Sequence, residues 1–177
     1  QLPRKRVKHF NVEGLEDCRL FFYEESLWFS CTTLDTNLGV PQISLCKLPE
    51  TSQDGFLFVE QLVPLEGPNL KRCEKNWLPF PHVNQLYMIY SFGPFILNQP
   101  DLQTGSWNPV FQRDALHNFS SFRGSAAPIE FDDDYLMLVH EVVFLVDFQR
   151  VYLHRFVQLD RELRVTYLSK SFIFKYR

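Results

Sequence analysis

The chain has 177 residues, 45% of them apolar and 22% charged, with a formal net charge of -3. That balance belongs to a globular domain able to bury a sizeable core, and its mild acidity excludes a general nucleic-acid surface, which needs clustered Lys and Arg to neutralise phosphates. No run approaches the roughly 18 unbroken apolar residues of a helical membrane span; the longest candidate, Leu136 to Val146, is broken by His140 and Glu141.

The N-terminal stretch carries one basic run, Arg4-Lys5-Arg6-Val7-Lys8, which reads as a solvated end, and a weak alternation at Val7, Phe10 and Val12. It has no apolar core of the secretory kind, so a cytoplasmic chain is expected unless a segment precedes it. Eighteen phenylalanines and an aromatic fraction of 16% favour strands, because flat rings pack well on a pleated surface. Helix signal is almost absent. The expected class is all-β.

The first group of strands is predicted at Cys18 to Tyr23, Leu27 to Thr33, Gln42 to Leu48 and Phe56 to Leu62, with turn signals at Asn37-Leu38-Gly39 and Gln53-Asp54-Gly55. A second group follows the Pro64 to Pro68 connection, at Trp77 to Phe80, Gln85 to Phe92, Phe95 to Asn98 and Ser106 to Phe111. Pro79, Pro94 and Pro109 belong at strand ends or edges, where a missing N–H costs least. The third group is Ala126 to Phe131, Leu136 to Val146, Val151 to Leu159 and Leu163 to Leu168, and Ser171 to Tyr176 begins something further.

These groups repeat one layout. A polar cluster opens a short strand, a polar break follows, and an aromatic-rich strand comes next: Glu16-Asp17-Cys18-Arg19 with the break Glu24-Glu25-Ser26, Glu74-Lys75-Asn76-Trp77 with His82 to Asn84, and Arg123-Gly124-Ser125 with Asp132-Asp133-Asp134. Units of about 50 residues, each a four-stranded antiparallel meander, are the sequence form of a β-propeller blade. The expected blades cover residues 15–63, 72–111 and 122–168, with 169–177 opening a further one. Three and a fraction blades do not close a ring of the usual four to eight. Further blades from a longer chain, a partner or a second copy are therefore expected; a compact β-sandwich is the competing architecture.

In a propeller the first strand of each blade lies nearest the axis, so Glu16, Asp17, Arg19, Lys75, Asn76, Arg123 and Ser125 are expected to face one funnel. Carboxyl groups, cations and an amide suit protonation of a leaving oxygen beside a bound anion or polyol. Trp28, Trp77, Tyr87 and Tyr90 are either core or apolar faces for sugar rings. The four cysteines, Cys18, Cys31, Cys46 and Cys73, show no CxxC pairing and read as buried free thiols on strands. Asn118-Phe119-Ser120 is a glycosylation sequon, relevant to a secreted chain alone. His9, His82, His117 and His154 fit no metal or triad spacing and read as surface or turn residues, the Asp132 to Asp134 run reads as a turn and not a calcium loop, and Ser30 and Ser125 lack a recognisable triad. No metal site is expected.

Glu16-Asp17-Cys18-Arg19 ahead of an aromatic strand resembles the Glu-Asp-Pro-Arg signature of the five-bladed-propeller β-mannoside phosphorylases and hydrolases and the related β-1,2-mannosyltransferases. Glu74 to Phe80 resembles their Lys-Asn motif, and Arg123 to Ile129 with Tyr135 to His140 resembles their glycine-rich segment and the Tyr-His strand after it. The resemblance covers about Glu13 to Arg177, in the family's order. It implies a carbohydrate-active propeller with a carbohydrate partner and no cofactor beyond inorganic phosphate as a co-substrate. Asp17 would be the general acid, with Lys75, His140, Asn76 and Arg19 holding phosphate or sugar; Glu16 and Arg123 complete the expected binding set. In an inverting phosphorolysis one proton-donating carboxyl suffices, because phosphate replaces the activated water; burial, or Glu16 nearby, would keep Asp17 protonated. Cys18 stands where the family carries proline, and Glu141 where the phosphorylases carry glycine. A structural Glu16–Arg19 ion pair, a glycan-binding module and a protein-interaction propeller are the alternatives.

Overall fold

The computed structural model describes residues 14–34, 39–51, 55, 58–114, 118–146 and 149–175. Among them there is no helix, and there are 12 strands: β1 (Glu16–Tyr23), β2 (Ser26–Thr33), β3 (Gln42–Lys47), β4 (Gln61–Pro64), β5 (Leu78–His82), β6 (Gln85–Phe92), β7 (Phe95–Asn98), β8 (Pro109–Arg113), β9 (Arg123–Phe131), β10 (Asp134–Phe144), β11 (Arg150–Leu159) and β12 (Val165–Leu168). They form three four-stranded antiparallel sheets, each a meander in which every strand pairs with its neighbour in sequence. These are three blades of a β-propeller. The sandwich alternative fails because the strands do not divide between two facing layers: β1, β5 and β9 lie beside one another, and each sheet radiates from its own first strand.

Two-residue turns set the register of each opening hairpin. Glu24 (φ 47°) and Glu25 (φ 57°) turn β1 into β2, Val83 (φ 46°) and Asn84 (φ 59°) turn β5 into β6, and Asp132 (φ 51°) lies in the turn from β9 to β10. Paired positive φ values give the turn whose twist matches that of the flanking strands. Tyr23 therefore pairs with Ser26, and His82 with Gln85.

Alternation then sends one face of each sheet to its neighbour. Phe21, Trp28, Ile43, Leu45 and Val63 of the first blade pack with Trp77, Leu86 and Met88 of the second. Leu78, Phe80, Ile89 and Leu97 of the second pack with Tyr135, Met137, Val139, Val157 and Leu159 of the third. The middle blade is thus buried on both faces. The outward faces of the other two carry exposed apolar side chains, Leu20 and Phe22 on β1 and Tyr152, Phe156 and Tyr167 on β11 and β12. Trp77 meets Tyr90 and Trp107 edge-on at 5.1 and 5.7 Å between centroids, contacts worth about 0.5–1.5 kcal/mol each beyond area burial.

That aromatic cluster explains one displaced boundary. Trp107 leaves the expected Ser106 to Phe111 strand to enter the interface, the Asn108 N–H donates to the Asn98 side chain at 2.6 Å, and β8 starts at Pro109. Gly105, with φ 74°, lets this loop press against Pro64, where a Cβ would overlap the Pro64 carbonyl. The expected fourth strand also lies later, at Gln61–Pro64; Phe56 and Leu57 fall outside the described residues, as do Val7, Phe10, Val12 and the turn signals at residues 37, 38, 53 and 54. Pro79 sits on edge strand β5, Pro94 in the β6–β7 turn after a cis Gly93–Pro94 bond, and Pro109 opens edge strand β8. The segment expected to begin a further blade runs, over its described residues, along β11: Phe172 exchanges backbone hydrogen bonds with His154 at 2.8 and 2.9 Å.

All four cysteines are free. Cys31 and Cys46 are fully buried with their sulfurs 3.8 Å apart; the hydrogen bond to Cys46 and then burial push the Cys31 thiol up. The reading of every cysteine as a buried strand residue needs correction. Cys18 is exposed at an irregularity of β1, and Cys73 is half-buried in the connection before β5.

Candidate functional site

The three polar clusters meet where β1, β5 and β9 come together. β1 carries one extra residue against β2 between Glu16 and Arg19, and β9 is irregular against β10 between Gly124 and Ala126. Bulges re-aim side chains at the ends of sheets. Here they fall on Asp17-Cys18 and on Ser125. Asp17 (φ 54°) and Asn76 (φ 63°) both occupy the left-handed region, which Asp and Asn enter at least cost among residues with a Cβ.

Arg19 is the hub. Its Nε donates to the Ser125 carbonyl at 3.1 Å, Nη1 to the Asp17 carbonyl at 2.8 Å, and Nη2 to Asn76 Oδ1 and the Gly124 carbonyl at 3.1 Å each. One guanidinium therefore clasps the first strands of the first and third blades and the chain that enters the second. The approach is close enough that a Cβ on Gly124 would overlap the Leu78 side chain and the Asn76 carbonyl. Glu16 pairs with Lys75 at 3.8 Å, each side chain one-third exposed. The alternative reading of Glu16 and Arg19 as an ion pair gives way to Glu16 beside Lys75 and Arg19 turned toward the neighbouring blades.

The connection before β5 is anchored to the first blade. The Gln42 side-chain amide donates to the Arg72 carbonyl at 3.0 Å, and the Glu74 N–H to the Pro41 carbonyl at 2.9 Å. Glu74 is 3% exposed and accepts the Trp77 indole N–H at 3.2 Å. Burial pushes its carboxyl above the usual range, while the Trp77 hydrogen bond and Arg72 act against this. Glu74 is the site residue that sequence reading passed over as part of a motif. Its signal was an acid directly before Lys75-Asn76 and three residues before a tryptophan.

His140 lies just past the middle of β10, opposite Arg123 on β9 and His154 on β11. Its Nδ1 shares a 2.7 Å hydrogen bond with Ser125 Oγ, so Ser125 has a histidine partner that sequence order did not reveal. Burial, then His154, Arg123 and Arg19, lower its pKa to about 4, with Asp17 acting the other way. The ring is therefore neutral at pH 7 and works as a hydrogen-bonding group. Between pH 6.5 and about 4 the unfolded chain takes up a proton that the folded site refuses. Stability is accordingly full above pH 6.5 and falls as pH drops through that window. Urea midpoints at pH 7.5 and 4.5 should show this, and His140→Gln should flatten the difference; a His140 imidazole titrating near 6.5 by NMR would remove the effect.

Glu141 does not bring a free negative charge to this site. It accepts from Ser121 Oγ at 2.6 Å and pairs with Arg155 at 3.4 Å. Asp17 is exposed, so the burial expected to hold its proton is not provided by the described residues. Trp28 and Trp77 are core, 4% and 1% exposed. Tyr87 packs on the second interface, while Tyr90 reaches a polar cavity of about 550 Å³ lined by Arg72, Glu74, Lys75, Asn76 and Arg123. That cavity adjoins the clasp and holds three of the expected binding residues. His82 and His154 lie on strands and not in turns, and His9 and His117 fall outside the described residues. Among the described residues no group of three or more His, Cys, Asp or Glu is placed to hold a metal ion, and no helix is long and apolar enough to cross a membrane.

No protein-family model and no curated protein matches this chain. Among solved structures it is similar to an α-L-arabinanase of Cellvibrio cellulosa, at 13% identity and a TM-score of 0.47, over 91% of this chain and 60% of that one. The same enzyme complexed with arabinohexaose gives a TM-score of 0.46 at the same identity and coverage. An exo-1,5-α-L-arabinanase from a bovine ruminal metagenomic library gives 14% identity and a TM-score of 0.45, over 88% of this chain and 58% of that one. The chain thus spans about 60% of the length of the first of these structures.

Proposed function

We propose that this chain forms part of a carbohydrate-active propeller that acts on a β-mannoside or a similar glycoside, by transfer to phosphate, water or another sugar. The observation that carries the reading is the convergence of three sequence-distant motifs: Arg19 reaches both Asn76 and the Gly124-Ser125 backbone, beside a cavity lined by Lys75 and Arg123. In this reading Asp17 protonates the leaving oxygen. Lys75, Asn76 and Arg123 hold phosphate or sugar hydroxyls, and neutral His140, oriented by Ser125, adds a hydrogen bond. Glu16 sets the position of Lys75 through their ion pair. Arg19 acts by holding β1, β9 and the chain that enters the second blade in place, since its donors are turned to protein acceptors. Further blades from a longer chain, a partner or a second copy would cover the outward faces and complete the funnel.

The test is to incubate the chain with β-mannosides, with and without inorganic phosphate, and to follow products by NMR. Mannose 1-phosphate that appears only with phosphate supports phosphorolysis, and free mannose in both supports hydrolysis. Binding without product in either supports a glycan-binding module. Absence of any binding sinks the carbohydrate reading and leaves a protein-interaction propeller.

A further inference from the structure

A second cavity of about 290 Å³ opens between the middle and third blades and is lined by Phe92, Phe95, Phe119, Phe122, Met137 and Val157. It differs from the polar cavity in chemistry and adjoins it in place. Phe92 and Phe122 line both. The dividing wall is made by the chain before β9, which lies tightly on the β6–β7 turn: a Cβ on Gly93 would overlap the backbone of Phe119 and Ser120. Phe122 stacks on Phe119 with centroids 5.0 Å apart, presenting rings to the apolar side. At the far mouth stand Arg113, whose guanidinium lies over Phe111 and donates to the Glu162 carbonyl, and Arg164, which is paired with Asp160 and Glu162.

An apolar hollow of this size is large for a close-packed interior. About 150 Å³ is enough for a benzene ring in a dry protein cavity. A pyranose seated among Lys75, Asn76 and Arg123 would have this hollow beyond Phe92 and Phe122, within reach of whatever is attached to the sugar. We infer that the chain selects glycosides with an apolar aglycone, an alkyl chain or aromatic group that passes over Phe92 and Phe122 into the cavity between the second and third blades. This rests on the glycoside reading above and adds to it the class of the group on the other side of the glycosidic oxygen. The sugar supplies the hydroxyls for the polar cavity, and the aglycone replaces water on the rings.

The probes are methyl β-mannoside and octyl β-mannoside, titrated calorimetrically against the whole chain, the latter below its micelle concentration. Each methylene taken from water is worth roughly fourfold in affinity, so the octyl compound is expected to bind at least about tenfold more tightly than the methyl one. Val165 borders the cavity and is 38% exposed, so Val165→Trp covers the mouth without overpacking the core; Val157→Phe fills the cavity from within. Either substitution should return the octyl compound to the affinity of the methyl compound and leave the latter unchanged. Equal binding of both glycosides by the unaltered chain overturns the inference and leaves the glycoside reading standing. An octyl preference that survives Val165→Trp also overturns it, because the chain would then lie elsewhere. If neither compound binds, the glycoside reading falls and takes this inference with it.

Discussion

Asp17→Asn is expected to leave fold and ligand affinity in place and to lower turnover of a β-mannoside by about 10²–10⁴-fold, the usual worth of a positioned general acid. Asparagine accepts the same left-handed backbone as Asp17 (φ 54°), and the Arg19 contact is to the Asp17 carbonyl, which the substitution keeps. What is lost is the proton for the leaving oxygen. The loss should shrink with a good leaving group such as nitrophenolate, which departs without a proton, and stay full for an alkyl or sugar leaving group. Equal turnover by the two proteins would remove Asp17 from the chemistry. A uniform loss for every leaving group would make its role positional.

Arg19→Ala should cost about 3 kcal/mol of stability, read as a drop in the urea midpoint. Hydrogen bonds to a charged group are worth roughly 1.5–3 kcal/mol each, and removing one donor strands several acceptors at once. Arg19 serves the carbonyls of Asp17, Gly124 and Ser125 and the side chain of Asn76, and the estimate is held well below the sum of these bonds because the group is only partly buried and its bonds are not independent. Arg19→Lys should recover a minor part, since an ammonium is a point charge and cannot reproduce a planar fork that reaches two neighbouring blades. Ligand affinity should fall in both variants, because Asn76 loses its anchor. A destabilisation below about 1 kcal/mol would show that the blades are held by their apolar interfaces alone.

Much of the architecture was legible in the chain, and the reasons are physical. Runs such as Gln85 to Phe92 are dense in aromatic and aliphatic side chains, and the polar breaks read at Glu24 to Ser26 and His82 to Asn84 place the hairpins, each one residue longer than the two-residue turns at Glu24-Glu25 and Val83-Asn84. Their composition was less helpful, since neither is the Asn-Gly or Asp-Gly that hairpins favour; Val83 takes a positive φ despite its branched Cβ. The convergence of Glu16, Lys75, Asn76 and Arg123 followed from blade geometry. The clasp by Arg19 and the Ser125–His140 hydrogen bond did not. Both depend on bulges, and a one-residue slip leaves no periodic trace in sequence. Trp28 and Trp77 were ambiguous for another reason: a tryptophan that stacks on sugar and one that fills an interface look alike until the neighbouring sheet is placed.

The strictly sequential meanders bear on how the molecule folds. Every strand pairs with one adjacent in the chain, so the loops closed in forming a blade are short and their entropy cost is small. For an all-β protein that is a low contact order, and it favours fast formation of each sheet. The middle blade, with an apolar layer on each side, is the one on which both others dock. Mutations at Trp77 or Leu78 should therefore slow folding, whereas those at the outer strands β4 and β12 should mainly speed unfolding.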